Sequence, residues 1–342
     1  MIMQVQGGGT RLGRSVGKME LTVSRSGRTG TYPSVSAAVI AAMQEPIEEA
    51  VILVEPGIYE EVVEVRRPFV TIRGLGKPEE TVIQYGNHAN MLMEDGSKRG
   101  TFRSYVMLLD GDGNALENLT IRNTAFPRKK VGQALALYAD GDGIRVQNCH
   151  LESYQDTLFT GPLPPAPLSP GGFTGPKEHD ERKLGRQIYD KCVISGDVDF
   201  IFGSAMALFR DCELISRNGL TEADQAPNGS ILGYVTAAST PEGAPAGYVF
   251  AHCRFSAVDC PAGSVYLGRP WRDFAQTVLY DCELGEHIHP QGFHDWNKWQ
   301  AHDTIFYGEC QNHGPGAEVA GRAEFVRQMN EKEINEILSV FA

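Results

Sequence analysis

Polar and apolar positions follow a short local pattern that returns along the chain: a polar or turn-favouring residue, a cysteine, any residue, then an apolar one. It stands at Asn148-Cys149-His150-Leu151, Lys191-Cys192-Val193-Ile194, Asp211-Cys212-Glu213-Leu214, His252-Cys253-Arg254-Phe255 and Asp281-Cys282-Glu283-Leu284. Asn118-Leu119-Thr120-Ile121 and Phe69-Val70-Thr71-Ile72 fit with an aliphatic residue in the cysteine slot, and Cys310 reads as a degenerate last copy. Alternation this short predicts strands. Their return at roughly 20 to 50 residues, with turns such as Asp140-Gly141-Asp142-Gly143 between them, predicts an all-β solenoid, a parallel β-helix. Rungs of such a coil stack about 4.8 Å apart. A cysteine repeated at an inward position then packs as a small apolar side chain, so stacked thiols are expected before disulfides.

A solenoid must cover its two ends. Ser34 to Met43 has a serine start and apolar spacing suited to a short helix, and Ala323 to Ala342 suits a longer one. Both are expected as capping helices. The first strand-like run opens at Met19, so one β-helix domain is expected over 19–342, preceded by a loose tail at 1–18.

The net charge of −12 changes the list of partners. Phosphate backbones and anionic membranes both select for Lys and Arg, so neither a nucleic acid nor a membrane surface is an expected partner, and a monomer is. No apolar stretch follows a basic start within the first 18 residues. No export signal is therefore expected, and a cytoplasmic location stands slightly ahead of secretion.

Two acidic segments carry the candidate chemistry, Tyr154-Gln155-Asp156-Thr157-Leu158-Phe159 and Gly196-Asp197-Val198-Asp199-Phe200-Ile201-Phe202-Gly203. Asp156 follows Cys149 by seven residues and Asp199 follows Cys192 by seven. The shared offset predicts that both carboxylates lie on one face, about 5 Å apart in backbone if their rungs adjoin. Like charges that close do not both ionise easily, which fits one acid and one base or nucleophile. Turn aspartates that only bond the backbone fit the offset equally well.

Those two segments, with Leu267-Gly268-Arg269-Pro270-Trp271, resemble the signature segments of the pectin methylesterases, in that family's chain order. Thr101-Phe102-Arg103-Ser104 and Gly132-Gln133-Ala134-Leu135-Ala136-Leu137 resemble two more. The resemblance runs from about Leu21 to Gly321. It implies a carbohydrate esterase acting on C6 methyl esters of galacturonan or oligogalacturonides, with Asp199 as nucleophile and Asp156 as general acid and then base. It further implies that Gln133 and Gln155 donate to an oxyanion, that Arg269 bonds the nucleophile, and that Phe102, Phe202 and Trp271 line the sugar groove. No cofactor and no metal are implied.

The chain departs from the family pattern in two places. The stretch Gly161 to Lys183, rich in Pro and Gly and then charged, lengthens the interval between the two aspartates, and is expected as an inserted loop beside the site that restricts the groove or closes over it. Phe293 stands after Gly292 where the resemblance implies a groove tryptophan, with Trp296 and Trp299 close by, and is taken as the groove residue.

Other patterns are set aside. Gly13-Arg14-Ser15-Val16-Gly17 matches a serine-hydrolase elbow by letter, with no strand before it. Asp110-Gly111-Asp112-Gly113-Asn114 begins like a calcium loop but lacks its later ligands, and is read as a turn. His287, His289 and His294 come without placed carboxylate or thiolate partners for zinc. Three rival readings remain: a lyase or glycoside hydrolase on the same scaffold, an esterase for another ester such as a thioester, and a silent carbohydrate-binding solenoid.

Overall fold

The computed structural model describes residues 17–224, 226–227 and 229–342. Residues 13–16 of the elbow-like pattern and 1–16 of the expected tail lie outside them. The chain coils into a right-handed parallel β-helix of three sheets with 11, 7 and 8 strands, in which successive rungs lie side by side. Strand pairing is parallel throughout the three sheets. Parallel partners need a long connection between them, and here the strands of the other two sheets supply it.

Because the pairing is in register, each inward position builds a column through the core. In the 11-stranded sheet the column runs Ile52, Ile72, Leu116, Val146, Tyr189, Phe209, Phe250, Leu279. Its aromatic stretch stacks face to face, with ring centroids 4.7 Å apart for Tyr189–Phe209 and 4.6 Å for Phe209–Phe250. In the 8-stranded sheet the column is Ile83, Ile121, Leu151, Ile194, Leu214, Phe255, Leu284. These side chains are buried, and truncating one to alanine costs about 2–5 kcal/mol.

The cysteines form a third column at the corner leading into the 8-stranded sheet. Register places Leu119, Cys149, Cys192, Cys212, Cys253 and Cys282 on successive rungs. The five cysteines are free thiols, and their sulfurs donate to backbone carbonyls, Cys192 to Val146 and Cys212 to Tyr189 among them. The residue before each is held at positive φ, between 49° and 56°, at Asn118, Asn148, Lys191, Asp211, His252 and Asp281. Among residues other than glycine, Asn, Asp and His adopt that backbone most readily, which accounts for five of these six positions, Lys191 being the exception.

Two expected copies sit elsewhere. Val70–Gly74 belongs to the 11-stranded sheet, not to the cysteine corner. Cys310 ends a strand of that same sheet, Phe306–Cys310, and the next place in the ladder is taken by Asn312, whose Oδ1 accepts from the Cys282 N–H at 3.0 Å. Both look alike in sequence because every corner of the coil pairs a left-handed residue with an inward one, as at Phe69 (φ 57°) and Gln311 (φ 55°).

The N-terminal end is covered as expected by a helix, Val35–Gln44, whose Ser34 hydroxyl accepts from the Ala37 N–H at 3.1 Å. Val35, Ala38, Val39 and Ala42 are buried by it against the first rungs. At the other end the single long helix expected over Ala323–Ala342 is corrected. Val326–Gln328 is a strand, and the helix is Glu331–Leu338, lying across the outside of the 11-stranded sheet. Its apolar stripe, Ile334, Ile337 and Leu338, finds outward apolar partners there in Leu208, Val249, Ala251 and Val278. The open end is instead sealed by a buried ion pair. Glu309 continues the column beyond Leu279, and its Oε1 lies 2.9 Å from Arg322 Nε. Arg322 spends its remaining donors on the carbonyls of Pro290 and Gly316.

Of the seven thiols, Cys260 alone lies outside the buried interior. A thiol reagent is expected to label Cys260 first in the native protein, slowly because burial pushes its thiol up to about 12, and the other six only on unfolding; native labelling at any ladder position ahead of Cys260, read by mass spectrometry, would contradict the stacked corner.

Candidate active site

The outer face of the 7-stranded sheet carries the candidate residues. One registered row crosses it: Leu108, Tyr138, Phe159, Phe202, Ala237, Arg269. Asp156 and Asp199 stand at one edge of this row. Leu158 pairs with Ile201 and His150 with Val193, so one register relates the strands on either side of the two aspartates. The Asp156 N–H donates to the Val198 carbonyl at 3.0 Å. Both aspartates have left-handed backbones, φ 64° and 51°, and the ladder shifts register between Val198 and Ile201. Such strain persists only where the surroundings over-determine it, and it clusters at functional sites.

The two carboxyls are buried, and their surroundings separate them. Arg269 grips Asp199 with both fork atoms, Nε to Oδ1 at 2.8 Å and Nη2 to Oδ2 at 2.7 Å. The guanidinium is held between two rings, 3.9 Å from the centroid of Tyr234 and 3.7 Å from that of Trp296, which fixes its plane. Burial raises the Asp199 carboxyl and Arg269 opposes the rise. Asp156 has no such partner. Burial and then the Asp199 charge push it well above the usual carboxylate range, against only a weaker pull from Arg269 and a Gln155 hydrogen bond. The pair is therefore poised with the proton on Asp156 and the charge on Asp199.

A third buried acid stands two residues before Asp199. Asp197 Oδ2 is 2.6 Å from Arg128 Nε, its other oxygen accepts from the Val198 N–H at 2.6 Å, and its side chain is fully buried. Burial lifts it to about 6, with Arg128 holding it down. Its charge adds to those that raise Asp156.

Above the carboxyls opens a cavity of about 260 Å³, bounded among others by Phe102, Gln133, Gln155, Gly172, Trp271 and Trp296. Gln133 and Gln155 approach from neighbouring rungs, the Ala134 N–H bonding the Gln155 carbonyl at 3.0 Å, so two amide side chains reach the same space. Neutral amides can donate to a developing oxyanion without neutralising the nucleophile. The sequence profile of the Pectinesterase family matches residues 20–162 and 182–339. The chain belongs to the pectinesterase family.

Relatives and solved structures agree with that membership. The chain is 32% identical over 304 residues to a pectinesterase/pectinesterase inhibitor of Prunus persica, covering 87% of this chain and 51% of that protein. It is 33% identical over 303 residues to pectinesterase 1 of Citrus sinensis, covering 87% and 46%. It thus spans about half the length of these relatives. Pectin methylesterase PemA from Erwinia chrysanthemi superposes with a TM-score of 0.75 at 29% identity, covering 92% of this chain and 94% of that one. The carrot enzyme does so at 0.73 and 28%, covering 92% and 89%.

Within this pectinesterase-family site, the aromatic residues divide. Phe102 and Phe202 line the cavity but are buried, while Trp271 is half-buried beside them. The expectation for Phe293 is corrected. It is completely buried and stacks on Tyr307 at 4.2 Å inside the β-helix, because its backbone continues the core column at the last rungs. Trp296 takes the groove position instead, turned out by left-handed backbone at φ 57°. Trp299 is exposed and away from the cavity. Of the three histidines, His287 is buried and held down to about 4, and His289 stacks on Tyr266 at 4.3 Å. Arg128, Asp197 and Tyr234 were not singled out as site residues from sequence; only the proximity of Asp197 to Asp199 offered a signal.

Replacing Arg269 with Gln removes the fork and is expected to raise the Asp199 carboxyl further, because the guanidinium that opposes the effect of burial is lost. Carboxyl-carbon NMR titration measures it; an unmoved Asp199 resonance would mean that the ion pair has no electrostatic role.

Proposed function

We propose that this chain hydrolyses C6 methyl esters of galacturonan or its oligomers to carboxylates and methanol, through an acyl-enzyme on Asp199. The observation that carries the reading is the asymmetry of the two buried carboxyls: Asp199 is gripped by the Arg269 fork, which opposes its rise, while Asp156 has no ion partner of its own and is pushed well above the usual carboxylate range by burial and the Asp199 charge. Two amides and the aromatic groove beside them supply what ester cleavage on a sugar needs. Supporting it, solved relatives at 28–29% identity are pectin methylesterases, one of them in complex with a hexasaccharide.

In this mechanism an Asp199 oxygen attacks the ester carbonyl carbon, and the developing oxyanion accepts hydrogen bonds from the Gln133 and Gln155 amides. Asp156 gives its proton to the methoxy oxygen, the C–O bond breaks, and methanol leaves. The resulting anhydride links Asp199 to the C6 carbonyl. Asp156, now a carboxylate, takes a proton from water as that water attacks the same carbon. Collapse releases the free acid of the sugar and restores Asp199 as carboxylate and Asp156 as acid. Arg269 holds the nucleophile in one orientation and keeps it charged between turnovers. Trp271, Trp296, Phe102 and Phe202 meet the apolar C–H faces of the ring.

Asp199→Asn and Asp156→Asn are each expected to lower methanol release from methyl-esterified pectin or its oligomers by at least about 100-fold, the scale of losing one catalytic acid or base. Near-native rates in both variants, or chain shortening in place of methanol release, would overturn the reading.

The pH profile follows from the same two groups. Activity needs Asp199 ionised and Asp156 protonated, so it rises as Asp199 loses its proton and falls as Asp156 does. Asp199, Asp197 and Arg269 are the charges acting on Asp156, and Asp197 pushes it up. Asp197→Asn removes that push, so the alkaline limb of kcat is expected at lower pH; an unmoved or raised limb would contradict it.

A further inference from the structure

The family profile skips residues 163–181, the stretch inserted between the two aspartates. In the structure this stretch is pinned at several points. Arg182 Nη1 donates to the carbonyls of Lys177 at 2.7 Å and Asp180 at 2.6 Å, and its Nη2 to Glu178 at 2.7 Å. Lys177 Nζ reaches Asp110 at 2.7 Å, tying the insertion to the turn of another rung. From across the groove, Arg272 Nη2 donates to the Ala166 carbonyl at 2.6 Å. Leu163 and Phe173 are buried.

The pinned loop reaches the substrate groove itself. Phe173 stands edge-on to both groove rings, 5.6 Å from Phe102 and 6.3 Å from Trp271, which are themselves stacked at 6.5 Å. Gly172 lines the cavity over the aspartates. Gly175 lies so close to Phe102 that an added Cβ would come within 2.8 Å of it. Many fixed contacts and buried apolar anchors are the marks of a wall, not of a hinged lid.

We propose that residues 163–181 form a fixed added wall of the groove that selects short methyl-esterified galacturonides over the interior of long chains, with Phe173 as the buried side chain that positions it against Phe102 and Trp271. This rests on the proposed esterase reading. The cavity of about 260 Å³, bounded in part by Gly172 of the insertion, is smaller than the roughly 300–1,000 Å³ of pockets that enclose drug-sized ligands, so it seats little more than the reacting ring and the rest of a ligand must pass the wall. A net charge of −12 acts in the same direction, since repulsion grows with the number of free carboxylates on the ligand.

The test compares the oligomer-to-polymer ratio of kcat/KM for methyl-esterified hexagalacturonide and pectin of matched esterification, in wild type, Phe173→Ala and Arg272→Ala. Circular dichroism confirms that each variant is folded. Binding of the same two ligands, followed by tryptophan fluorescence, gives a second ratio that needs no turnover. Both ratios are expected to favour the hexamer in wild type and to fall by about tenfold in Phe173→Ala, chiefly through KM, a change worth about 1.4 kcal/mol. Arg272→Ala is expected to fall in the same direction. Wild-type preference for polymer, or unchanged ratios in both folded variants, would overturn the wall. Absence of methanol release from either substrate would instead defeat the esterase reading, and the fluorescence ratio would still decide the wall.

Discussion

In-register parallel pairing is the constraint from which both the core and the site follow. Once one rung is laid on the next, every residue is matched to a partner about 4.8 Å away, and a residue type that repeats at the same offset becomes a column. Cys149 with Cys192, Leu151 with Ile194 and Phe159 with Phe202 are products of one alignment between two rungs. Asp156 and Asp199 sit between those matched strands. The same operation that stacks leucines inside places two acids together outside. Left-handed corner residues recur along the coil, and at the two aspartates the same conformation turns a side chain out of the ladder.

Two neighbouring carboxyls in a buried place would both be driven to protonate, and a site of that kind would hold no nucleophile at neutral pH. Arg269 breaks the symmetry. Its fork meets one carboxylate only, and Tyr234 and Trp296 prevent it from swinging to the other. A buried ion pair adds little to stability once desolvation is counted. Its value here lies in deciding which of two like groups keeps its charge. The Arg128–Asp197 pair adds a second arginine-held acid to the same electrostatic arrangement.

A coil of this kind accepts additions at its corners at little cost, because loop closure grows slowly with length and the rungs pair regardless of what leaves between them. The chain between Thr160 and Arg186 makes that visible: 25 residues leave the 7-stranded sheet and return to the 11-stranded one without shifting the register that aligns the aspartates. What they add is a tier of contacts on the aromatic groove. The fold sets where the acids meet, and the loop sets the room above them.

The sequence by itself determined the coil and its register. Inward periodicity, a polar residue before each repeated cysteine and equal offsets to the two acids are local properties that survive being read one residue at a time. What the end of the chain does was not legible in that way. An apolar stripe says that a helix must pack, not on what, and Ile334, Ile337 and Leu338 chose the flank of a sheet because outward apolar residues stand there. Phe293 and Trp296 show the same limit. Both are aromatic, three residues apart, and which faces the core and which the groove depends on one left-handed turn and on Tyr307 waiting inside. The partners of Arg128, Arg269 and Phe173 likewise come from distant rungs, so only the folded chain could decide which charge each one holds or which ring it meets.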